Sequence, residues 1–270
     1  MSAVLGRRRF VAGLTGGAIG ASLVAGRNWL ATPPKQSGKP DRSLDHVIQT
    51  RRLIVGVDPS YPPFESIDPN QQVVGFDLDL ASAIAFGLFA TMSIKVLGLD
   101  GFYDALRARQ IDVAVSSIVP SQRAGKEIAF SSPYFNAGLV LCSTPSRTVR
   151  DLGSLAGHRV GVELGSDADE YLQASRKRGL RLTIVRFDDV REALLAATKG
   201  QVAAALTDSP TAALLRHEIS GYTVAVAPVT HKPYAVALRS ADQALLGAIN
   251  FQLTRLQTDG TLREIEQRWL

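Results

Sequence analysis

Short apolar runs alternate with amphipathic stretches along the chain from residue 51 onward. Runs rich in Val, Ile and Leu are typical of buried strands, whereas apolar residues spaced three and four apart indicate helices. The pattern predicts strands over 53–57, 94–97, 113–115, 159–162, 183–187, 203–206 and 234–238, and helices over 76–89, 103–109, 167–178, 190–198, 211–218 and 242–269. This alternation favours an α/β fold with mostly parallel sheets and right-handed crossovers.

The segment from residue 152 onward begins with an apolar strand pattern similar to that of residues 51–57. This repetition indicates two α/β lobes. One strand and one long helix follow the second lobe, and the first lobe is the natural place for them to pack. We therefore predict that lobe one comprises residues 44–138 plus 234–270 and that lobe two comprises residues 139–233. Two strands then cross between the lobes and form a hinge beside a cleft.

The N-terminal 43 residues have the layout of an export signal followed by a linker. Arg7 and Arg8 precede an apolar, Gly-rich stretch over 11–26, which is shorter than the roughly 20 residues needed to span a bilayer. Arg7, Arg8 and Phe10 resemble the twin-arginine signal, which implies export of an already folded protein. The stretch over 33–40 is rich in Pro and reads as a flexible linker. The alternative is a chance basic run before a buried helix.

The distribution of charge and the cysteine content limit the cellular compartments and the kinds of partner that are consistent with the sequence. The chain carries 30 Lys and Arg against 25 Asp and Glu, but six of the basic residues and none of the acidic ones lie within residues 1–40. The rest of the chain is close to neutral, which argues against nucleic acid as a partner. The single cysteine, Cys142, excludes an internal disulfide, and no cysteine lies near the end of the apolar stretch, where a lipid anchor would need one. We expect a periplasmic monomer without a lipid anchor.

Several motifs occur in a fixed order between residues 51 and 270. They read Val55-Gly56-Val57-Asp58-x-x-Tyr61-x-Pro63-Phe64, Gly75-Phe76-Asp77-Leu78-Asp79-Leu80, Asp112-Val113-Ala114-Val115-Ser116 with Arg123, Phe130-Ser131-x-Pro133-Tyr134, Thr207-Asp208, and Asp259-Gly260-Thr261 ahead of Trp269. In this order and spacing they resemble the polar-amino-acid (family 3) periplasmic solute-binding proteins that feed ABC importers. The resemblance implies a two-lobed periplasmic-binding-protein fold, an amino-acid ligand in the cleft and an ABC permease of the inner membrane as partner.

An α-amino acid is a zwitterion, so its site must present a cation to the carboxylate and an anion to the ammonium. Arg123 is the candidate cation, because a guanidinium holds a carboxylate bidentately and keeps its charge. Asp208 is the candidate anion, because it follows a strand at the sheet edge where ligands of α/β folds bind. The resemblance assigns both residues the same roles. The alternatives are a surface Arg in a loop and an Asp that only caps a helix.

Gly165 and Ser166 precede a predicted helix, and their amides and hydroxyl offer an anion site that the helix dipole strengthens. The resemblance puts the ligand carboxylate there, against Arg123. Asp167 adds negative charge to the same first turn and competes with a carboxylate ligand. Its alternative role is that of a helix acid pointing to solvent.

The resemblance also implies two walls around the ligand side chain. Tyr61 supplies the aromatic wall, while the opposite wall is Leu99, where this chain has an aliphatic residue in place of the usual aromatic one. Ile118 stands where the family commonly has a hydroxyl residue. Ser116 and Ser117 are therefore the polar contacts that remain at that strand end.

Asp58 and Glu163 lie at strand ends that the motif register directs into the cleft, towards the far end of the ligand. Two acids favour a cationic or strongly polar side chain, and no basic residue of the motifs would neutralise a second carboxylate there. We therefore predict a polar L-amino acid, with arginine, lysine, ornithine or histidine favoured over glutamine and with glutamate and aspartate disfavoured. Pairing of Glu163 with a neighbouring Arg is the alternative.

The sequence contains no GxSxG, P-loop or HExxH motif, and His158, His217 and His231 lack metal-ligand spacing. We expect neither catalysis nor a cofactor nor a metal. The alternative is an enzyme, because the same fold hosts a dehydratase that acts on cyclohexadienyl acids. That reaction needs a general acid above a carboxylate-anchored ligand, a role open to Glu163 or Asp58.

Overall fold

Two five-stranded sheets organise residues 41–270, which are the residues that the computed structural model describes. The helices are α1 (Ser43–Thr50), α2 (Phe76–Gly87), α3 (Phe102–Arg107), α4 (Asp167–Lys177), α5 (Val190–Thr198), α6 (Ser209–Leu215), α7 (Gln243–Thr258) and α8 (Thr261–Trp269). The strands are β1 (Arg52–Val57), β2 (Ser66–Ile67), β3 (Val73–Val74), β4 (Thr91–Val96), β5 (Val113–Ala114), β6 (Ile128–Phe130), β7 (Phe135–Asn136), β8 (Leu139–Ser143), β9 (Arg159–Glu163), β10 (Thr183–Phe187), β11 (Ala204–Asp208), β12 (Thr223–Val224), β13 (Pro233–Tyr234) and β14 (Ala237–Arg239). The predicted export signal and the linker over 33–40 lie outside the described residues.

The first sheet has the strand order β4-β1-β5-β14-β6. Strand β1 runs parallel to β4 and β5, whereas β14 runs antiparallel to β5 and β6. Leu53, Val55 and Val57 of β1 are buried, because this central strand is covered by apolar side chains of the flanking helices. Helices α7 and α8 contact α2, so the C-terminal segment packs with the first sheet and its helices.

The second sheet has the strand order β10-β9-β11-β8-β12. Strands β10, β9 and β11 are parallel, and β8 is antiparallel to both β11 and β12. Every residue of β8 is buried, and α5 covers the sheet with Ala193, Leu194 and Ala197. Four of the five strands in each sheet therefore run in one direction, which confirms the predicted α/β architecture.

A short ribbon joins the two sheets. Strand β7 pairs with β13 in an antiparallel register that places Phe135 opposite Tyr234 and Asn136 opposite Pro233. The ribbon packs on Phe64, whose ring centroid lies 5.1 Å from that of Phe135 and 5.3 Å from that of Tyr234. The chain leaves the first sheet through β7 and returns through β13, so these strands hold the loop after β1 against the start of the second sheet.

Two predicted elements are each divided into two in the structure. The apolar run over 234–238 is divided between β13 in the ribbon and β14 in the first sheet, because the backbone changes partners between them. The predicted helix over 242–269 is two helices, because Gly260 takes a left-handed φ of 89° that an α-helix cannot continue. No helix within residues 41–270 is long and apolar enough to cross a membrane.

Candidate ligand-binding site

A polar cavity of about 200 Å³ lies between the loop that follows β1 and the ends of the second-sheet strands. Five predicted site residues line it, namely Tyr61, Glu163, Ser166, Asp167 and Asp208. The other lining residues are Ala137, Leu139, Ala168, Val190, Leu206, Thr207, Pro210, Thr211, Lys232 and Tyr234. A larger surface groove of about 730 Å³ beside α6 and α8 contains none of the predicted site residues. The smaller cavity is the candidate site, because charged groups from several elements converge on it.

Asp208 occupies the end of β11 and caps the first turn of α6. Its Oδ1 accepts from the Thr211 amide at 2.8 Å, and its Oδ2 accepts from the Thr211 hydroxyl at 2.8 Å. A carboxylate offers about four acceptor positions, so each oxygen keeps one that the helix does not use. The predicted capping role is thus present, and the same carboxylate lines the cavity.

Glu163 and Lys232 bring opposite charges to the cavity. Glu163 is the last residue of β9, and no ion pair within residues 41–270 includes it, so the alternative of a partner Arg is not observed. Lys232 immediately precedes β13. It was not predicted as a site residue, because it belongs to none of the motifs and to no helix or strand with a periodic pattern. With Asp167 and Asp208, the cavity is lined by three carboxylates and one ammonium.

The first turn of α4 already binds a carboxylate of the chain itself. The Gly165 amide donates to Asp169 Oδ2 at 3.3 Å, and the Ser166 hydroxyl accepts from the Asp169 amide at 3.3 Å while donating to the Glu163 carbonyl at 2.8 Å. Arg186 lies 2.9 Å from Asp169, and this guanidinium holds the pKa of the Asp169 carboxyl below its usual range. The donors that were predicted to hold a ligand carboxylate thus have internal partners.

Asp58 and Leu99 contact each other and lie outside the cavity lining. Asp58 Oδ2 accepts from the Leu99 amide at 3.0 Å, at the start of a 3-10 turn over Leu99–Gly101. The Asp58 amide in turn donates to the Ser116 hydroxyl at 3.1 Å. Asp58 thereby links the ends of β1 and β5 to the turn that carries the exposed Leu99 side chain.

Ser116 and Ser117 rest on two buried carboxyl groups. The Ser116 hydroxyl donates to Glu65 Oε1 at 2.8 Å, and the Ser117 amide donates to Asp77 Oδ2 at 2.6 Å. Ile118, the next predicted contact, is buried, and its carbonyl accepts from the backbone amide that follows β13. All three residues lie outside the cavity lining.

Arg123 is exposed in a 3-10 turn over Gln122–Ala124, where its amide donates to the Ser121 hydroxyl at 3.2 Å. It lies outside the lining of the 200 Å³ cavity. The structure therefore brings the acidic candidates together on the second-sheet side and leaves the candidate guanidinium apart from them. Within residues 41–270, no cluster of His, Cys, Asp and Glu has the arrangement of a metal site.

Two α/β sheets joined by a crossing ribbon, with a polar cavity between them, define the fold class of the periplasmic binding proteins. The sequence pattern of the bacterial extracellular solute-binding proteins, family 3, matches residues 53–270. The chain belongs to this family, which confirms the predicted resemblance and the prediction of a solute-binding protein.

Two curated relatives come from Escherichia coli strain K12. ABC transporter arginine-binding protein 1 is 27% identical over 223 residues, which cover 81% of this chain and 90% of that protein. L-cystine-binding protein TcyJ is 28% identical over 257 residues, which cover 94% of this chain and 93% of that protein. Both are named as binding proteins, and they carry different ligands in their names.

Two solved structures of ancestral proteins are similar to the chain. An ancestral cationic amino acid solute-binding protein is 30% identical with a TM-score of 0.60, and the match covers 84% of this chain and 99% of that protein. An ancestral cyclohexadienyl dehydratase is 22% identical with a TM-score of 0.72, covering 84% and 95% respectively. The likeness to the dehydratase shows the fold alone.

Proposed function

We propose that the protein captures a polar L-amino acid, preferentially a cationic one, between its two lobes and delivers it to an ABC permease of the inner membrane. The observation that carries this proposal is the charge of the cavity, where Glu163, Asp167 and Asp208 outnumber Lys232. Arginine, lysine and ornithine carry a net positive charge as free amino acids. Charge complementarity therefore favours them over glutamate and aspartate.

The size of the cavity supports a ligand of amino-acid dimensions. At about 200 Å³ it is smaller than the roughly 300–1,000 Å³ of pockets that take drug-sized molecules. The arginine-binding relative and the ancestral cationic amino-acid binder support the same class of ligand. The cystine-binding relative makes cystine the competing ligand that a test has to include.

Within this proposal, Arg123 binds the ligand carboxylate, Asp208 binds the ammonium and Tyr61 packs against the side chain. The lobes, residues 44–138 plus 234–270 and residues 139–233, close about the ribbon of β7 and β13. Hinge closure of this kind moves residues of one lobe towards a site on the other, so it supplies a path for Arg123 to reach the ligand.

A thermal-shift screen tests the proposal. It uses the twenty amino acids, ornithine, cystine and small carboxylates, because a ligand at 100 times its dissociation constant adds about 2.7 kcal/mol to the free energy of unfolding. We expect stabilisation by arginine, lysine, ornithine or histidine. Stabilisation by acidic or aliphatic ligands alone contradicts the cationic assignment. Consumption of prephenate in a separate incubation with the protein would establish the dehydratase alternative.

We also propose that the protein reaches the periplasm by the twin-arginine route, without a lipid anchor, and acts there as a monomer. Arg7, Arg8 and Phe10 support the route, and the position of the single cysteine at 142 supports the missing anchor. The extracellular location of the family agrees with export.

A further inference from the structure

The first turn of α2 and the loop after β1 are joined closely through their backbones. The Phe76 amide donates to the Pro63 carbonyl at 3.1 Å, and the Asp77 amide donates to the Phe64 carbonyl at 2.9 Å. Gly75 permits this approach, because a Cβ at that position would overlap the carbonyl group of Phe64. As a result, the side chain of Asp77 lies beside that of the loop residue Glu65, and the two carboxyl groups bind the adjacent residues Ser117 and Ser116.

Both carboxyl groups are almost completely buried, with Glu65 at 1% and Asp77 at 0% exposure. One oxygen of each is used by the end of β5, since Glu65 Oε1 accepts from Ser116 and Asp77 Oδ2 accepts from Ser117. The other oxygens, Glu65 Oε2 and Asp77 Oδ1, have no conventional donor, and the buried hydroxyl of Tyr134 beside Asp77 also lacks an assigned partner.

Two ionised carboxylates cannot satisfy each other, because all of their oxygens are acceptors. A proton on one of them turns the contact into a hydrogen bond and removes the repulsion between two buried charges. The titratable groups around the pair are Asp58, which adds negative charge, and the phenols of Tyr134 and Tyr234. Burial raises the pKa of Glu65 far above its usual range, the Asp77 charge adds to this effect, and burial also raises the pKa of Asp77.

Glu65 Oε1 and Asp77 Oδ2 hold the strained turn at Ser116 and Ser117. Ser117 has a φ of 49°, a left-handed conformation that a non-glycine residue keeps only when its surroundings impose it. Asp77 Oδ2 accepts from both the amide and the hydroxyl of Ser117, at 2.6 and 3.3 Å. Ser116 in turn connects Glu65 to the Asp58 amide, so the ends of β1 and β5 depend on the same pair.

We infer that Glu65 and Asp77 are positioning residues of the ligand site. Their carboxyl groups share one proton, while Glu65 Oε1 and Asp77 Oδ2 fix the Ser116–Ser117 turn for amino-acid binding. This inference rests on the proposed function, which assigns the turn to the cleft. Neither acid is assigned to touch the ligand.

The shared proton is tested on the ligand-free protein by measuring the free energy of unfolding from pH 6 to pH 9. A folded state that retains a proton which the unfolded chain releases loses stability as the pH rises, by up to about tenfold per pH unit in the unfolding equilibrium. We expect a shallower dependence for Glu65→Gln, whose amide keeps a donor towards Asp77, and the wild-type dependence for the exposed control Glu264→Gln. Equal slopes in all three proteins overturn the shared proton.

A second measurement covers the case in which Glu65→Gln fails to fold. In the wild-type protein labelled with ¹³C at Glu side chains, the carboxyl resonance of Glu65 at pH 7 is expected at the position of a protonated acid. Resonances at the positions of ionised carboxylates for Glu65, and also for Asp77 in a sample labelled at Asp side chains, overturn the shared proton without any variant.

The positioning role is tested by calorimetry with L-arginine and by the amide resonance of Ser117. Asp77→Ala removes the acceptor and is expected to lose at least tenfold in affinity and to move the Ser117 amide resonance, whereas Asp77→Asn keeps an acceptor and restores most of both. A folded Asp77→Ala variant with wild-type affinity overturns the role. If that variant is unfolded, Ser116→Ala breaks the link to Glu65 instead, and unchanged affinity there is the contradicting result.

Failure of the two proposals can be told apart. If no amino acid binds the wild-type protein, the proposed function is wrong and the positioning role falls with it. The titration of the ligand-free protein still decides whether the buried pair holds a proton.

Discussion

The hydroxyl oxygen of Tyr61 lies 3.4 Å from that of Tyr234, which connects the loop after β1 to the ribbon strand β13. The Tyr61 ring also stacks on Phe64, with centroids 5.7 Å apart and an angle of 11° between the planes. An aromatic ring is thus held at the cavity wall by two neighbours while 43% of the residue stays exposed. A ring fixed in this way offers its face to a ligand at little entropic cost.

We therefore expect Tyr61→Ala to weaken L-arginine binding about tenfold, because an aromatic face adjacent to a cation contributes roughly 0.5–2 kcal/mol. Tyr61→Phe keeps the face and loses only the contact with the Tyr234 hydroxyl, so its affinity should stay within about threefold of wild type. Isothermal calorimetry measures both. Similar losses for the two variants would show that the hydroxyl, and not the ring, is what the ligand needs.

Arg123→Ala is expected to abolish binding, because a buried ligand carboxylate without its charge-assisted partner costs roughly 2–5 kcal/mol. Lys126→Ala is the matched control, since it removes an exposed basic side chain three residues further along the chain. Calorimetry with L-arginine compares the two. If Lys232→Ala abolishes binding while Arg123→Ala does not, the carboxylate is bound by the lysine that lines the cavity.

Asp208→Asn is expected to weaken ligands that carry an α-ammonium group while sparing their desamino analogues. The helix cap should survive, because Asn is as good a capping residue as Asp. Asp189→Asn is the control, since Asp189 caps α5 through the Arg191 amide at 2.6 Å and does not line the cavity. Calorimetry with L-arginine and 5-guanidinovalerate gives the two affinities, and equal losses for both ligands contradict the assigned role.

Gly75→Ala is expected to destabilise the fold, since a φ of 145° costs a residue with a Cβ about 1–3 kcal/mol before its overlap with Phe64 is counted. Gly247→Ala in α7 is the control, because an added Cβ meets no atom within 4 Å there. That change should stabilise the helix by up to about 1 kcal/mol. Chemical denaturation measures both, and a neutral Gly75→Ala would show that the contact between α2 and the loop can relax.

Replacement of Arg7 and Arg8 together by Lys is expected to block export, because the twin-arginine route requires the arginine pair. Fractionation of cells that express the wild type and the double variant measures the exported share of each. Undiminished export of the variant excludes this route and leaves general secretion as the alternative.

Elements that follow one period along their length were predicted closely from the sequence. The predicted ranges 190–198 and 183–187 coincide with α5 and β10. In α5 the buried residues Ala193, Leu194, Ala196 and Ala197 recur at helical spacing. The division of residues 234–238 between two sheets was not predictable, because the apolar run is unbroken and only tertiary pairing separates its halves. Helix α1 was not predicted because its apolar positions, Leu44, Val47 and Ile48, fall within a helix of only eight residues directly after the predicted linker.

The candidate site was accessible to sequence analysis where it lies at the ends of strands. Glu163 and Asp208 end β9 and β11, and both reach the cavity. In the first turn of α4, the acid that is buried is Asp169, which pairs with Arg186 of the neighbouring strand β10. The sequence around α4 does not reveal this pair, because Arg186 is distant along the chain. Arg123 remains a prediction based on its motif and its charge.

The position of β14 between β5 and β6 affects the order in which the protein can fold during synthesis. Residues 139–224 contain every strand of the second sheet, so that sheet can form as soon as its own segment has left the ribosome. The first sheet cannot be completed until Ala237–Arg239 has been synthesised, because β14 is the strand that pairs with β6. A nascent chain truncated before residue 237 therefore presents an open strand edge, which is the kind of surface that chaperones shield.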